Sequence, residues 1–295
     1  MSRPLDPEEL EATAPRTLAE ISPATTLGAV HLTVSDLAAS LAYYRETIGL
    51  DVLARDDGFA RVGAGGRELL VLVEEPGARP AHGHTGLYHF ALLLPQRTDL
   101  ARWLAHAARR RVPLVGLSDH FVSEAIYLSD PDGHGIEIYW DRPREGWQGL
   151  VAERLTTMPL DVASLLGELQ DPESEPFDGL PAGTVMGHVH LKVREITETI
   201  AFFRDALGFG LMAQLGAQAA FLAAGGYHHH FGANTWESAG ATPAPPGAAS
   251  LRHATILLPD AAERDRVLDR VVQHGYAVDD STVRDPSGNA LVLAF

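Results

Sequence analysis

Hydrophobic and polar positions alternate along a short stretch near the middle of the chain, SDHFVSEAIYLSDPDGHGIEIYW, from Ser118 to Trp140. Its β-branched and aromatic residues predict two strands, Glu124 to Leu128 and Gly135 to Trp140, joined by the turn residues SDPDG. Glu137 lies between two isoleucines in the second strand, so its side chain points to the opposite face from theirs. A carboxylate there needs a cation or solvent.

A second pattern changes from strand to helix spacing and occurs twice. The segment GAVHLTVSDLAASLAYYRETIGLDV, which starts at Gly28, predicts a strand and then a helix that Gly49 ends. The segment GHVHLKVREITETIAFFRDALGFGL, which starts at Gly187, repeats it at a constant offset of 159 residues, with His31 and His190 in matching positions. The chain therefore contains an internal repeat.

Two further pairs of segments extend the repeat to four units. GLYHFALLLP from Gly86 matches SLRHATILLP from Ser250 at an offset of 164, and DPDGHGIEIYW matches DPSGNALVLAF at an offset of 155. Each unit predicts a strand, a helix and two or three more strands, and the units span residues 28–77, 86–140, 186–236 and 250–295. One such unit cannot bury its own sheet, so we expect the units to pair.

The units suggest a division of the chain into two domains. Residues 1–27 are predicted to be an N-terminal arm, 28–140 a first domain and 186–295 a second domain. Residues 141–185 contain five prolines and one helical pattern, and they predict a long connector.

Composition narrows the possible functions. The chain has 295 residues, no cysteine and a net charge of −16, so disulfides, thiolate ligands and thiol nucleophiles are excluded and nucleic acid or an anionic membrane is an unfavourable partner. Any metal must be held by His, Asp or Glu. No apolar run is long enough to span a membrane, and we expect a cytoplasmic protein with small-molecule partners. The number of chains in the assembly stays open, with a homo-oligomer as one option.

Four such units, with a His on one strand and the pattern D-P-x-G-x-x-x-E closing another, resemble the vicinal oxygen chelate superfamily. This superfamily includes glyoxalase I, bleomycin-resistance proteins and extradiol ring-cleaving dioxygenases. The resemblance implies an α+β fold in which four βαβββ modules pair into two open, cup-shaped barrels. The similarity covers nearly the whole chain apart from the arm and the connector.

The resemblance also implies a metal site at fixed strand positions. The first-strand position falls on Ala29, His89, His188 and His253 in the four units, and the carboxylate position falls on Glu137 in unit two and Val292 in unit four. Sequential pairing of units leaves both sets of ligands incomplete. Pairing of unit two with unit three, and of one with four, completes a set of two histidines and one carboxylate. The set is His89, Glu137 and His188.

Extradiol enzymes of this type carry accessory residues that match only units two and three. An acid-base His in a His-x-x-Ala strand matches His230, within YHHHFGANTW, although His228 or His229 could replace it. A Tyr and a His before the closing turn match Tyr127 and His120. The order of the units differs from the family, because the unit with the carboxylate precedes the unit with the acid-base residue.

The resemblance at these residues implies an extradiol catechol 2,3-dioxygenase-like oxidoreductase that uses non-haem Fe(II), with Mn(II) as an alternative metal, and takes a catechol and dioxygen as substrates. His230 would be the acid-base residue, and Tyr127 and His120 would orient the bound oxygens. A glyoxalase-like isomerase or lyase and a metal-free binding or resistance protein stay open as alternatives. A single strand His is more often structural than a ligand, and on that ground three other histidines are interpreted as structural, namely His31, His190 and His253.

Overall fold

The structure is a computed structural model that describes residues 20–295. Of the predicted N-terminal arm, residues 1–19 lie outside the described residues. Within the described range, no helix is both long and apolar enough to cross a membrane.

Each of the four units folds as one strand, one helix and a set of antiparallel strands. The elements of units one and two are β1 (Thr26–Val34), α1 (Leu37–Tyr43), β2 (Asp51–Asp56), β3 (Phe59–Ala64), β4 (Arg67–Glu74), β5 (Arg79–Pro80), β6 (Gly86–Leu93), α2 (Arg97–Arg110), β7 (Gly116–Asp119), β8 (Ser123–Ser129) and β9 (Gly135–Asp141). The connector adds α3 (Val151–Arg154), β10 (Met158–Pro159) and α4 (Val162–Leu166). The elements of units three and four are β11 (Val185–Lys192), α5 (Ile196–Ala201), β12 (Gly210–Leu215), β13 (Ala219–Ala223), β14 (Phe231–Asn234), β15 (Ala248–Ala249), β16 (Leu251–Leu257), α6 (Ala261–Gln273), β17 (Val278–Asp279), β18 (Thr282–Arg284) and β19 (Ala290–Ala294).

Two large sheets, each built from two units, contain all the strands except β5 and β15, which pair with each other in a separate small sheet. The 2–3 sheet has the order β10-β7-β8-β9-β6-β11-β14-β13-β12, and its two units meet where β6 and β11 pair antiparallel. The 1–4 sheet has the order β17-β18-β19-β16-β1-β4-β3-β2, and its units meet where β1 and β16 pair antiparallel. The fold is therefore α+β, with four βαβββ modules in two curled sheets, and the predicted fold class is confirmed. The predicted division into domains at 28–140 and 186–295 stays a prediction.

The first helix illustrates how the local sequence produces each unit. The Asp36 carboxylate accepts a hydrogen bond from the backbone N–H of Ala39 and caps the start of α1. One π-helical turn, Tyr44–Ile48, follows α1, and Gly49 ends it with a φ of 93°. The predicted apolar face is buried throughout, at Leu37, Leu41, Tyr44 and Ile48.

The main hydrophobic core lies between the helices and the sheets. Helix α1 packs on β3 and β4, α2 on β9, α5 on β13 and β14, and α6 on β19. The core draws on all four units, and its largest fully buried side chains include Trp103, Phe90, Phe202 and Phe203. The helices therefore cover one face of each sheet, which leaves the other face free to carry chemistry.

The connector covers part of the 2–3 sheet. Trp147 and Val151 pack with Val122, Met212 and Phe221 in a second, smaller apolar cluster. Strand β10 pairs with β7 and extends the same sheet. The segment predicted as a connector therefore adds a strand to the 2–3 sheet and packs against it.

Candidate metal centre

The register of three central strands brings the predicted ligands together. Glu137 on β9 and His188 on β11 both pair with Ala91 of β6, from opposite sides. His89 lies two residues before Ala91 and therefore on the same face. Ala91 itself is fully buried, and its methyl group leaves space between the larger side chains. His89, Glu137 and His188 thus project from three adjacent strands towards one point.

The three side chains are close enough to share one ion. Nε2 of His188 lies 2.9 Å from Oε2 of Glu137, and Nε2 of His89 lies 3.0 Å from the same oxygen. The potential ligand atoms all lie within 4.8 Å of one another. Exposed fractions are 4% for His89, 2% for Glu137 and 2% for His188, so the whole group is shielded from solvent.

The electrostatics of the group suit a cation. Burial by itself raises the pKa of the Glu137 carboxyl, but His188 and His89 outweigh it and hold that pKa well below its usual range. Burial lowers the pKa of His188, which favours the neutral imidazole that binds metals. Nε2 of His89 has no hydrogen-bond partner among the described residues, although Glu137 is near, because the geometry is unfavourable.

These features fit a divalent metal ion. A buried carboxylate needs a compensating charge, and two imidazole nitrogens with one carboxylate oxygen form the ligand set of non-haem Fe(II) sites with open positions. A cation at this point would satisfy the unpaired nitrogen of His89 and the charge of Glu137 together.

Tyr127 and His120 lie beside this group, as the sequence predicts. Tyr127 on β8 pairs directly with Glu137, and its ring centroid lies 5.5 Å from that of His89. Nδ1 of His120 lies 2.9 Å from the carbonyl oxygen of Thr156 and donates to it, and Nε2 lies 2.7 Å from the Tyr127 hydroxyl. The connector therefore orients His120, and His120 in turn orients Tyr127.

His229, and not the predicted His230, lines the cavity at this site. The His229 ring lies 4.1 Å from the His188 ring, centroid to centroid. His230 lies behind it, where Nδ1 accepts a hydrogen bond from the backbone N–H of Ala224, and burial lowers the pKa of His230 to about 3. The alternation of side chains between the two faces of a strand does not apply to His229 and His230, because β14 begins only at Phe231. The structure therefore brings His229 to the cavity in place of His230, and the acid-base role itself stays a prediction.

His190 is a cavity residue that the sequence analysis interpreted as structural. It pairs with His89 across β11 and β6, and the two ring centroids lie 4.9 Å apart. Its Nε2 is buried without a hydrogen-bond partner in the described part of the chain. Its position two residues after His188, on the same strand face, is the signal that could have identified it.

Two adjoining cavities give access to the group. The inner one, about 30 Å³, is lined by His89, Glu137, His188 and His229 and by residues of the connector. An open cavity of about 510 Å³ shares His89, Tyr127 and Thr157 with it. The larger cavity is therefore bordered by His89, one member of the ligand group.

Comparison with known proteins agrees with this architecture. The sequence model of the Glyoxalase/Bleomycin resistance protein/Dioxygenase superfamily matches residues 26–138 and again residues 185–293. The chain belongs to this superfamily, and the predicted resemblance is confirmed.

Within the superfamily, the chain is a catechol 2,3-dioxygenase-like oxidoreductase. A catechol-2,3-dioxygenase of Bacillus subtilis (strain 168) is 41% identical over 281 residues, which cover 91% of this chain and 96% of the relative. The predicted enzyme class is confirmed by this similarity.

Solved structures share the fold at low sequence identity. Glyoxalase I from Zea mays is 16% identical, with a TM-score of 0.56 and coverage of 92% of each chain. A protein from Bacillus subtilis subsp. subtilis str. 168, provisionally described as a dioxygenase, is 16% identical, with a TM-score of 0.61 and coverage of 95% of this chain and 86% of its own. At these identities the similarity shows the fold alone.

Proposed function

We propose that this protein is an extradiol ring-cleaving dioxygenase that acts on a catechol, with Fe(II) held by His89, Glu137 and His188. Mn(II) is the alternative metal. The observation that carries the proposal is the buried Glu137 carboxylate with two imidazole nitrogens about it, at 2.9 and 3.0 Å. The 41% identity to a catechol-2,3-dioxygenase supports the reaction.

The chain provides a site of suitable charge and openness for this chemistry. Bound Fe(II) would supply one-electron chemistry with dioxygen and would lower the pKa of catechol hydroxyls bound beside it. The single carboxylate, Glu137, partly neutralises the ion. Only three protein groups in the described chain come together as ligands, which leaves room for both substrates.

His229 is the group best placed to accept a proton from a catechol hydroxyl. It lines the same cavity as the three ligands and packs against His188. In this proposal it replaces His230, whose Nδ1 is occupied by the backbone of Ala224. Because His229 and the three ligands line one cavity, a catechol bound there would lie close enough to His229 for proton transfer.

Tyr127 and His120 would orient substrate oxygens in the cavity. Their hydrogen bond of 2.7 Å, and the bond from His120 to Thr156, fix both side chains before substrate binds. Leu155, Thr156 and Thr157 of the connector form the facing wall. This wall limits access of water to the reacting groups.

The test is reconstitution of the purified full-length chain with Fe(II), and separately with Mn(II), without oxygen. Addition of catechol and air should give a yellow ring-opened semialdehyde with about one bound metal per chain. A matched assay offers the hemithioacetal of methylglyoxal and glutathione, the substrate expected of a glyoxalase-like isomerase. Turnover of the hemithioacetal without ring cleavage, or no metal binding at all, would contradict the proposal.

A further inference from the structure

A chain of hydrogen bonds links His229 to a carboxylate outside the ligand group. Nδ1 of His229 lies 2.8 Å from Nδ1 of His228. Nε2 of His228 lies 2.9 Å from Oδ1 of Asp141, the residue that ends β9. His228 is fully buried, so it has no alternative partners in solvent.

The other oxygen of Asp141 receives a second chain. The Tyr227 hydroxyl donates to Oδ2 of Asp141 at 2.7 Å, and the Tyr139 hydroxyl lies 2.8 Å from the Tyr227 oxygen. Burial raises the pKa of Tyr227 well above the usual range, so its hydroxyl keeps the proton that it donates to Asp141. Oδ2 of Asp141 therefore accepts from Tyr227, and a carboxylate offers only acceptor oxygens to Nε2 of His228.

The acceptor at Asp141 determines the direction of the first chain. Nε2 of His228 must carry a proton to donate to Oδ1 of Asp141. With one proton on each imidazole, Nδ1 of His228 is then an acceptor and Nδ1 of His229 must be the donor. Nε2 of His229 is left with a lone pair, on a ring that lines the cavity.

We propose that Asp141 and His228 are positioning residues that hold His229 as the Nδ1–H tautomer, with Nε2 available to accept a proton from the substrate. The carboxylate acts through His228 and does not contact the cavity. This inference deepens the proposed function and rests on it only for the identity of the proton donor, a catechol hydroxyl. The tautomer itself follows from the hydrogen-bond geometry together with one proton on each imidazole.

The first experiment reads the tautomer directly. Long-range ¹H–¹⁵N correlation spectra of the ¹⁵N-labelled full-length protein, metal-free and loaded with diamagnetic Zn²⁺, distinguish protonated from unprotonated imidazole nitrogens. The signals of His229 are identified by their absence in His229→Gln. We expect Nδ1 of His229 to be protonated and Nε2 to be unprotonated. A protonated Nε2 with an unprotonated Nδ1 would overturn the proposal.

The second experiment reverses the direction of the hydrogen bonds that join Asp141, His228 and His229. In Asp141→Asn the new amide can donate to Nε2 of His228, which would move the His228 proton to Nδ1 and leave the Nε2–H tautomer of His229. We expect kcat to fall on the order of 10²- to 10⁴-fold, as for the wrong tautomer in other imidazole bases, while KM and metal affinity change less than about threefold. Asp141→Glu keeps an acceptor and should recover much of the loss.

A matched control separates this effect from a simple change of charge. Glu153→Gln makes the same carboxylate-to-amide change on the exposed face of α3, and kcat should stay within about twofold. Loss of metal from Asp141→Asn would indicate a structural role and would contradict the proposal, as would a kcat within about threefold of wild type.

The two proposals fail in different ways. If the Nδ1–H tautomer is present in wild type and reversed in Asp141→Asn, but the protein cleaves no catechol, the hydrogen-bond chain stands and the dioxygenase proposal fails. If catechol is cleaved but the tautomer of His229 is Nε2–H, the dioxygenase proposal stands and the inference about Asp141 fails.

Discussion

The two large sheets share one plan and differ in what their free faces carry. In the 2–3 sheet His190 pairs with His89, and in the 1–4 sheet His31 pairs with His253 in the same register. The ring centroids of His31 and His253 lie 3.8 Å apart, so the two rings stack on each other. Within residues 20–295, neither has a carboxylate partner of the kind that Glu137 provides for His89.

Three positions near the ligand group of the 2–3 sheet carry different residues in the 1–4 sheet. The position of His188 is taken by Ala29, two residues before His31, and that of Glu137 by Val292, which pairs with Thr255 as Glu137 pairs with Ala91. The position of Tyr127 is taken by Thr282, which pairs with Val292 as Tyr127 pairs with Glu137. The same backbone therefore carries the ligand group in one sheet and not in the other, so the group depends on a few side chains.

The two sheets also differ in how far the rest of the chain covers their end strands. Strand β12 at one end of the 2–3 sheet is mostly buried, and the connector packs beside it. Strand β2, its counterpart in the 1–4 sheet, is exposed along its whole length. The ligand group therefore lies in the sheet that the connector covers.

The largest expected contrast is between two equivalent histidines. His89→Ala should weaken metal binding at least about 100-fold, since loss of a direct ligand costs more than loss of an outer partner, and ring cleavage should fall with it. His253→Ala, at the matching position, should change neither. Metal content by mass spectrometry and the rate of product formation are the measurements, and equal behaviour of the two variants would mean that the sheets are not functionally distinct.

A second comparison introduces the missing metal ligands into the 1–4 sheet. Ala29→His with Val292→Glu should place two new ligands beside His253 in the register of the natural group, so the double variant should bind about two metal ions per chain in place of one. Equilibrium dialysis with Zn²⁺ measures the stoichiometry, and Ala29→His alone is the control, because two histidines without a carboxylate form a weaker site. Unchanged stoichiometry in the double variant would show that the 1–4 sheet differs in more than its side chains.

A smaller contrast concerns two equivalent glycines. A Cβ at Gly187 would lie 1.8 Å from the hydroxyl oxygen of the buried Tyr139, whereas at Gly28 the nearest atoms lie 3.1 Å away, on Thr255. Gly187→Ala should lower the free energy of unfolding by about 3 kcal/mol, and Gly28→Ala by less than about 1 kcal/mol. Urea unfolding measures both, and a cost for Gly28→Ala as large as that for Gly187→Ala would contradict this account.

The smallest expected effect lies in the closing turn of unit four. Burial raises the pKa of the Asp285 carboxyl from 3.8 to about 6, despite hydrogen bonds from Ser287 and Asn289. Because this pKa is higher in the folded state, the associated stability is present below about pH 4 and is lost as the pH rises through 6. We expect a loss of about 2–3 kcal/mol between pH 4 and 7 from this group, which Asp285→Asn should lack. Urea unfolding at several pH values measures this difference. An equal loss of stability with pH in the wild type and in Asp285→Asn would show that Asp285 does not titrate as described.

Much of the architecture was predictable from the sequence because it follows from local patterns and from repetition. The offsets of 159, 164 and 155 residues identified the four units, and alternation placed Glu137 opposite its isoleucine neighbours. The absence of cysteine restricted any metal site to histidine and carboxylate ligands. Tyr127 and His120 were predicted by their spacing from the closing turn in related enzymes, and the structure places both at the cavity.

The tertiary structure decided which histidines lie together, since that depends on contacts between strands far apart in the chain. His188 and His190 lie two residues apart on one strand. The residues that surround them come from β6 and β9, roughly 50 to 100 residues away along the chain. His229 replaced His230 at the cavity because the residues before β14 are not in a strand and do not follow its alternation. The connector became a wall because its residues Trp147, Val151 and Leu155 pack with apolar residues of the 2–3 sheet.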